Sequence, residues 1–292
     1  MSETMIGVIG GSGLYEIEGL ADAAWREVDT PWGAPSDALL TGRLGGVPVA
    51  FLPRHGRGHR ISPTKINYRA NIDAMKRIGV TDIVSISAVG SFREEMAPGD
   101  FVLVDQFIDR TVSRQKSFFG EGCVAHVSMA HPVCARLGTA LSAAAGRADI
   151  AMHAGGTYLA MEGPQFSTLA ESKMYRESWG CDVIGMTNMP EAKLAREAEI
   201  CYATVAMVTD YDSWHPDHGE VDIQSIIQVM HANVAKAKAL LSEVMPALGT
   251  TRVPCEQGCD TALEYAIITA PDARDPALVQ RLDAVAGRVL NT

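Results

Sequence analysis

Residues 200–214 read ICYATVAMVTDYDSW, and this stretch decides the fold class. Its apolar, partly β-branched run Tyr202–Val208 predicts a strand that is buried on both faces of a sheet. Thr209-Asp210-Tyr211-Asp212 follows at once, so two carboxylates lie just beyond the carboxyl end of that strand. Because open α/β sheets bind ligands at this edge, the stretch predicts an α/β protein with Asp210 and Asp212 in its site.

The two aspartates carry the first chemical prediction. Side chains at positions i and i+2 of an extended chain point the same way, so Asp210 and Asp212 should face one cleft. Two carboxylates held close together in a poorly hydrated cleft do not both ionise freely, and one then keeps its proton near neutral pH. That proton makes it a general acid. The alternative is a solvated acidic turn in which an aspartate caps the next helix.

Composition narrows the class of protein. The chain has 292 residues, of which 47% are hydrophobic, as in a globular enzyme. Its net charge of −10 argues against non-specific binding to nucleic acid or to an acidic membrane, so an anionic substrate requires a local basic pocket. No apolar run approaches the roughly 18 residues of a spanning helix, and no signal-peptide pattern opens the chain, so we expect a cytoplasmic protein.

The cysteines are scattered along the chain, which predicts buried thiols and not a disulfide framework. Cys255 and Cys259 have a spacing that suits a metal ion or a small disulfide. No second Cys or His pair lies near them in sequence, and we predict no metal site. The six cysteines are Cys123, Cys134, Cys181, Cys201, Cys255 and Cys259.

Strands alternate with helices along residues 5–212, which predicts a mixed, mainly parallel β-sheet flanked by helices. We expect one domain over residues 1–292, with a core at about 5–248 and a C-terminal helical extension at about 249–292. Gly45-Gly46 predicts an antiparallel hairpin. The predicted strands are Met5–Gly10, Ala38–Leu44, Val47–Leu52, Asp82–Ser87, Phe101–Asp105, Gly156–Met161, Asp182–Met186 and Tyr202–Val208. The predicted helices are one that begins at Pro63, Ala135–Ala145, one capped by Thr168, Glu191–Glu199, Gln224–Met245 and Pro276–Leu290.

Two segments predict an anion site. Gly10–Gly13 follows the first strand, and its glycines allow a sharp turn whose N–H groups can cradle phosphate. A dinucleotide-binding loop is the alternative, although the G-x-G-x-x-G spacing is absent. Residues 54–60 carry five cationic or titratable side chains, and guanidinium groups pair with phosphate oxygens bidentately. A solvated basic loop is the alternative for this second segment.

Other features of the sequence extend this site. Ser87–Ser91 consists of small residues that allow a ligand to approach the backbone. Phe166 suits either stacking on a heterocycle or packing in the core. Ser113–Cys123 is polar and contains glycine, which predicts a mobile or intersubunit loop.

The chain also resembles the trimeric purine nucleoside phosphorylase and methylthioadenosine phosphorylase family. The resemblance runs from about residue 5 to about residue 244. The motifs that carry it are Ile9-Gly10-Gly11-Ser12-Gly13, Arg54-His55-Gly56, Asn67-Tyr68-Arg69-Ala70-Asn71, Gln106-Phe107-Ile108-Asp109-Arg110-Thr111, Glu162-Gly163-Pro164, Met186-Thr187 with Pro190-Glu191, and Thr209-Asp210-Tyr211-Asp212.

The resemblance assigns roles to individual residues. It implies a phosphate site made of Ser12, Arg54, His55, Ser87, Ala88 and Thr187. It implies that Phe166, Ser167 and Met186 flank base and ribose, and that Asp210 and Asp212 are catalytic and read the purine. His59 and Ile223 would line the region of the 5'-substituent, and His126 would come from a neighbouring subunit of a homotrimer. Gln165 replaces an arginine that is common in relatives.

The reaction implied is phosphorolysis of S-methyl-5'-thioadenosine to adenine and 5-methylthioribose-1-phosphate. Inorganic phosphate is a co-substrate, and we expect no cofactor. Asp210 would protonate purine N7, and Asp212 would accept from the exocyclic amine, which favours a 6-aminopurine. Three alternatives stay open: a 6-oxopurine or general purine nucleoside phosphorylase, a non-catalytic nucleoside-binding protein, and an NAD-dependent oxidoreductase.

Overall fold

The computed structural model describes residues 4–11, 13–216, 223–249, 251 and 254–290. The strands in this part of the chain are β1 (Met5–Gly10), β2 (Leu20–Arg26), β3 (Leu39–Leu44), β4 (Val47–Pro53), β5 (Val80–Ser91), β6 (Phe101–Leu103), β7 (Gln106–Asp109), β8 (Met152–Ala154), β9 (Thr157–Ala160), β10 (Val183–Gly185) and β11 (Cys201–Asp210). The α-helices are α1 (Tyr68–Arg77), α2 (Ala135–Arg147), α3 (Leu169–Lys173), α4 (Asn188–Glu197), α5 (Ile223–Leu248), α6 (Pro276–Arg281) and α7 (Asp283–Leu290).

These strands form one sheet centred on β5, which confirms the predicted mixed, mainly parallel architecture. β5 lies between β1 and β11, and both are parallel to it. β1 pairs in parallel with β4, which continues through an antiparallel hairpin to β3, as Gly45-Gly46 predicted. Because β1, β4, β5 and β11 run the same way, their carboxyl ends meet at one edge of the sheet.

Helices cover both faces of the sheet. On one face, α1, α4 and α7 pack around buried side chains such as Ile72, Leu194 and Val285. On the other face, α2 and α5 pack around Leu141 and Leu240. Both cores meet along β11, whose side chains alternate between them: Tyr202, Ala206 and Val208 enter the first, and Cys201, Ala203, Val205 and Met207 the second. The prediction of a strand buried on both faces is therefore confirmed.

Several element boundaries differ from the predictions. The edge strand β2 was not predicted, because six of its seven residues are exposed and it lacks a buried, alternating face. Pro63 begins a short 3₁₀ turn, Pro63–Lys65, and α1 begins later, where the Asn67 side chain accepts a hydrogen bond from Ala70 N–H. The capping box of Thr168 and Glu171 at α3 is confirmed.

The C-terminal part of the chain packs against both faces of the sheet. The single helix predicted for residues 276–290 is two helices, α6 and α7, separated at Leu282. α7 lies against α1, where Asp283 forms an ion pair with Arg77. Cys255 and Cys259 enter the core on the opposite face. Among the described residues, no helix is long and apolar enough to cross a membrane.

Candidate active site

A cavity of about 430 Å³ opens at the edge where the carboxyl ends of β1, β4, β5 and β11 meet. β10 pairs antiparallel with the last two residues of β5, and Met186 and Thr187, which follow β10, line the same cavity. The predicted site residues that line the cavity are Arg54, His55, His59, Ser87, Ala88, Phe166, Met186, Thr187, Asp210 and Asp212. Residues separated by up to 158 positions in the sequence therefore share one cavity.

Asp210 and Asp212 lie in the same wall of this cavity, but the reason given from the sequence was wrong. The chain is not extended between them, because Tyr211 has φ −97° and ψ 24° and Asp212 has φ +46°. Asp212 opens a 3₁₀ turn that folds it back onto the end of β11. Its N–H donates to Asp210 Oδ2 at 3.0 Å. A local turn therefore produces the shared direction.

Gly90 of β5 leaves the space that the two carboxylates occupy. It faces Asp210 across the β5–β11 pair, just after an irregularity in the register. A Cβ atom on residue 90 would lie 3.0 Å from Asp210 Oδ2 and 3.2 Å from Asp212 Cβ. The small residue therefore makes room for the acids as well as for a ligand.

Loss of hydration governs the protonation of both acids. Burial raises the pKa of Asp210 above its ordinary value, although hydrogen bonds from Thr209 Oγ1 and Asp212 N–H lower it. Burial also raises the pKa of Asp212, and the nearby charge of Asp210 adds to that rise. The predicted repulsion between the two charges is thus the smaller cause. Both groups are poised to carry a proton at higher pH than ordinary aspartates.

One oxygen of Asp212 has an unsatisfied hydrogen-bonding capacity. The residue is 5% exposed, and its Oδ2 accepts no hydrogen bond from the described residues. A buried polar atom without a partner is costly, so such atoms are normally paired. Asp212 lines the cavity through its other atoms, so pairing of this oxygen with a ligand N–H requires the carboxylate to rotate toward the ligand.

Arg54 follows β4, lines the same cavity and is held firmly there, with 2% of its surface exposed. Its Nε and Nη2 donate to the Glu191 carboxylate at 2.8 and 3.0 Å, and Nη1 donates to the Ile86 carbonyl at 2.9 Å. Nη2 also donates to Ser85 Oγ at 2.6 Å. The guanidinium fork therefore pairs with Glu191, and the bidentate grip on phosphate that the sequence predicted is not available. Among the described residues, one Nη1 hydrogen has no acceptor, so it can bind an anion.

Hydroxyl groups complete the polar corner beside Arg54. Ser87 Oγ lies 3.1 Å from Thr187 Oγ1 and 3.3 Å from the Tyr158 hydroxyl. Ala88 follows Ser87 in β5 and lines the cavity with it. The hydroxyls of Ser87 and Thr187, with one guanidinium N–H, form a neutral-to-positive donor set that suits a small oxyanion.

The basic segment at residues 54–60 divides between two surroundings. His55 and His59 line the cavity and stack with ring centroids 4.2 Å apart. Burial lowers the pKa of His55 to about 4, so its ring is neutral at neutral pH, and its Nδ1 lies 2.8 Å from the Ile61 carbonyl. Arg57 instead pairs with Asp37 at 2.8 Å and lies over Trp25, away from the cavity. Of the five side chains in the predicted anion site, only Arg54, His55 and His59 line the cavity.

The apolar wall of the cavity was not predicted as part of the site. α5 supplies it from an apolar stripe of the helix that was predicted over Gln224–Met245. The stripe was indistinguishable from a core stripe because both follow helical periodicity. Its lining members are Ile226, Ile227, Met230 and Val234, joined by Leu14, Ile184 and Met207.

Two predicted site residues do not line the cavity, and two others lie outside the described residues. Ser167 is buried and lies beside it, where its carbonyl accepts from Ser213 Oγ at 2.8 Å. His126 is exposed, and its N–H donates to the Ala266 carbonyl at 2.9 Å, so its own chain does not bring it to the cavity. Ser12 and the side chain of Ile223 lie outside the described residues.

Arg114 anchors the segment 113–123, which was predicted as a mobile or intersubunit loop, beside the cavity. Arg114 is buried and donates through Nη1 to the carbonyls of Met186 and Met189, at 2.6 and 2.7 Å. Its Nε pairs with Glu162 at 3.2 Å. The loop after β10 is therefore held by a cation that the sequence analysis did not single out.

An oxyanion corner and an acid pair thus line one largely apolar cavity at the edge of a mixed α/β sheet. This arrangement suits transfer of a sugar from a base to an oxyanion. The model of the phosphorylase superfamily matches residues 5–246, and the chain belongs to that superfamily.

Two relatives of high sequence identity are S-methyl-5'-thioadenosine phosphorylases. The chain is 69% identical over 288 residues to the S-methyl-5'-thioadenosine phosphorylase of Cereibacter sphaeroides, with 99% of each chain covered. It is 61% identical to that of Bradyrhizobium diazoefficiens, again with 99% of each covered. The family resemblance read from the motifs is confirmed.

Solved structures agree with the fold. A methylthioadenosine phosphorylase from an antarctic soil metagenomic library superposes with a TM-score of 0.91 at 46% identity, covering 98% of this chain and 99% of that one. A methylthioadenosine phosphorylase from Schistosoma mansoni in complex with adenine superposes with a TM-score of 0.85 at 34% identity, covering 91% and 99%.

Proposed function

We propose that the protein catalyses phosphorolysis of S-methyl-5'-thioadenosine to adenine and 5-methylthioribose-1-phosphate. The observation that carries this proposal is the acid pair, because Asp210 and Asp212 line the same cavity as the Arg54 corner. The names of the close relatives support the same reaction.

The Arg54 corner binds phosphate beneath the sugar. Arg54 contributes one N–H, and the hydroxyls of Ser87 and Thr187 contribute further hydrogen bonds, with Ser12 as an additional ligand. Because Glu191 fixes the guanidinium from behind, the donor needs no rearrangement when the anion arrives. Positioning of this kind can supply about 7–11 kcal/mol of a barrier.

The base leaves as the sugar is captured. The bond from the anomeric carbon to purine N9 breaks through an oxocarbenium-like state, and a phosphate oxygen forms the new bond. Asp210 gives its proton to N7, so adenine departs neutral and Asp210 is left as a carboxylate. Burial supports this role because it raises the pKa of Asp210.

Asp212 selects the 6-amino group. Its buried Oδ2 accepts an N–H of adenine, whereas a 6-oxopurine sets a carbonyl oxygen against it. A site built to hydrogen-bond one group rejects an analogue that cannot pair with it by about 10⁴-fold or more.

The apolar wall accommodates the 5'-methylthio group. Side chains of α5, among them Ile226 and Met230, line the cavity near Leu14 and His59. Transfer of a methylthio group onto such a wall removes apolar surface from water, which a ribose hydroxyl does not. We expect Phe166, at the mouth, to stack on the base.

Assembly and location belong to the same proposal. The motif resemblance supports a homotrimer in which His126 of one subunit closes the cavity of the next, since His126 is exposed on its own chain. Six buried free thiols are compatible with the reducing cytoplasm. The reaction would serve salvage of the purine and of the methylthio sugar.

Turnover with three nucleosides tests the proposal. Purified protein is incubated with S-methyl-5'-thioadenosine, methylthioinosine or inosine, with and without phosphate, and the released bases are quantified. We expect phosphate-dependent adenine release and little hypoxanthine. Preferred cleavage of the 6-oxopurines would indicate the other nucleoside class, and ligand-induced thermal stabilisation without cleavage would indicate a binding protein.

A further inference from the structure

Four cysteines that are scattered in the sequence converge at one point in the fold. Cys134, Cys201, Cys255 and Cys259 are buried, and their sulfur atoms all lie within 4.8 Å of one another. The two remaining cysteines, Cys123 and Cys181, do not belong to this group. We call these four residues the thiol cluster.

Three separate segments build the thiol cluster. Cys134 precedes α2, and its N–H donates to the Tyr202 carbonyl at 2.8 Å, which holds it beside Cys201 at the start of β11. Cys255 and Cys259 come from a turn after α5, which Gly258 closes with φ +66°. The Gly258 N–H donates to the Cys255 carbonyl at 2.9 Å, so both thiols of this turn approach Cys134 and Cys201.

The arrangement matches a tetrahedral metal site. Zinc sites take cysteine pairs separated by two to four residues, and Cys255 and Cys259 are separated by three. A zinc–sulfur bond of about 2.3 Å in a tetrahedron places the sulfur atoms about 3.8 Å apart. Cys134 Sγ and Cys255 Sγ are 3.7 Å apart. Four mutually close sulfurs satisfy this geometry, whereas disulfides require only pairs.

The surroundings of the thiol cluster suit negative charge. Cys134 immediately precedes α2, at the helix end where the backbone dipole favours negative charge. The Arg136 guanidinium interacts with the Cys201 sulfur, and its Nε is buried without a hydrogen-bond partner among the described residues. Four thiolates around a divalent ion leave a net negative charge, which nearby guanidinium groups offset.

We propose that the thiol cluster binds one zinc ion as a closed structural site with four sulfur ligands. Zinc displaces the thiol protons, and no ligand position stays open for chemistry. The ion joins the chain after α5 to the starts of α2 and β11. Cys134 and Gln257 line a separate cavity of about 630 Å³, which provides access to the ion.

The proposed site is distinct from the phosphorolysis site. Cys201 and Asp210 are the two ends of β11, so at about 3.3 Å per residue they lie roughly 30 Å apart. We therefore expect zinc to affect stability and not turnover chemistry. The proposal does not depend on the reaction proposed above.

Metal analysis and cobalt spectroscopy test the proposal on the full chain. Protein purified under reducing conditions without an affinity tag that binds metal should contain about one zinc per chain after gel filtration. Its thiol cluster should be protected from a thiol reagent until a mercurial releases the zinc. Anaerobic exchange with Co²⁺ should give the charge-transfer and ligand-field bands of tetrahedral cobalt bound to sulfur.

Matched variants assign the site. Cys259→Ser should lose most of the zinc and lower the Tm, whereas Cys181→Ser, a buried thiol elsewhere, should keep the zinc. If Cys259→Ser does not fold, the cobalt spectrum of the native chain decides. Metal-free protein with four reactive thiols, two disulfides detected by mass spectrometry, iron in place of zinc, or equal zinc in both variants would each overturn the proposal.

Discussion

Replacement of Asp210 by asparagine separates proton transfer from binding. In the native chain Asp210 Oδ1 accepts from Thr209 Oγ1 at 2.7 Å, and Oδ2 accepts from Asp212 N–H at 3.0 Å. An asparagine fits these partners if its oxygen faces Asp212 N–H and its amide donates to Thr209 Oγ1. Thr209 can then accept, because its own hydroxyl also points to the Val89 carbonyl at 3.1 Å. The variant should therefore fold normally.

The expected loss falls on the chemical step. The amide keeps a donor for purine N7 but carries no transferable proton, and general acids contribute about 10²- to 10⁴-fold to a rate. We predict that kcat for S-methyl-5'-thioadenosine falls by that factor, equivalent to about 2.7–5.4 kcal/mol of barrier. The KM for phosphate should change little, since Arg54, Ser87 and Thr187 are untouched.

Steady-state kinetics with both substrates varied, and adenine quantified by chromatography, measure these effects. Asp100→Asn is the control, because Asp100 pairs with His153 at 2.9 Å outside the cavity, and it should leave kcat unchanged. Native kcat in Asp210→Asn, or an equal loss of phosphate affinity, would refute proton donation by Asp210.

Three further variants test the surroundings of the site. Gly90→Ala places a Cβ 3.0 Å from Asp210 Oδ2 and should lower kcat/KM by about 10²-fold. The control is Gly146→Ala on α2, where the space around the added Cβ is open, and it should leave kcat/KM unchanged. Equal kcat/KM in the two variants would contradict a close fit between Gly90 and the acid pair. Glu191→Ala leaves the Arg54 charge buried and unpaired and should cost about 3–5 kcal/mol of unfolding free energy in urea, against under about 1 kcal/mol for Glu243→Ala at the exposed Arg147 pair. Burial raises the pKa of Glu197 from 4.5 to about 7, so between these pH values the folded state binds a proton that the unfolded state has lost. The contribution of Glu197 to the free energy of unfolding is therefore full below about pH 4.5 and is lost as the pH rises through about 7. The loss amounts to about 3 kcal/mol. Glu197→Gln should flatten that slope in urea unfolding, and an unchanged slope would assign it to other groups.

The sequence predicted the parts of the site that depend on local pattern. The apolar run before Asp210 identified a buried strand, and ligand sites of α/β sheets follow such strands. The small residues at Ser87 and Gly90 likewise indicated a close approach of another group to the backbone. Both kinds of signal are visible within a single short segment.

Features that depend on contacts between residues far apart in the chain could not be predicted from the sequence. Glu191 lies 137 positions from Arg54, so nothing near Arg54 indicated that its guanidinium fork is already occupied. The left-handed conformation of Asp212 is not required by its residue type. The apolar residues of α5 recur with the same helical spacing whether they face a core or a cavity, so the sequence could not distinguish the two. Cys134 and Cys255 are 121 positions apart, which concealed the thiol cluster.

A crystal structure with phosphate and adenine bound is the decisive test of whether Asp210 protonates the purine while phosphate occupies the Arg54 corner. We expect a carboxyl oxygen of Asp210 within about 2.6–3.2 Å of adenine N7 and a hydrogen bond from the 6-amino group to Asp212 Oδ2. We expect phosphate to contact Arg54, Ser87 and Thr187. Adenine bound with its imidazole edge away from Asp210, or phosphate bound outside the Arg54 corner, would contradict it.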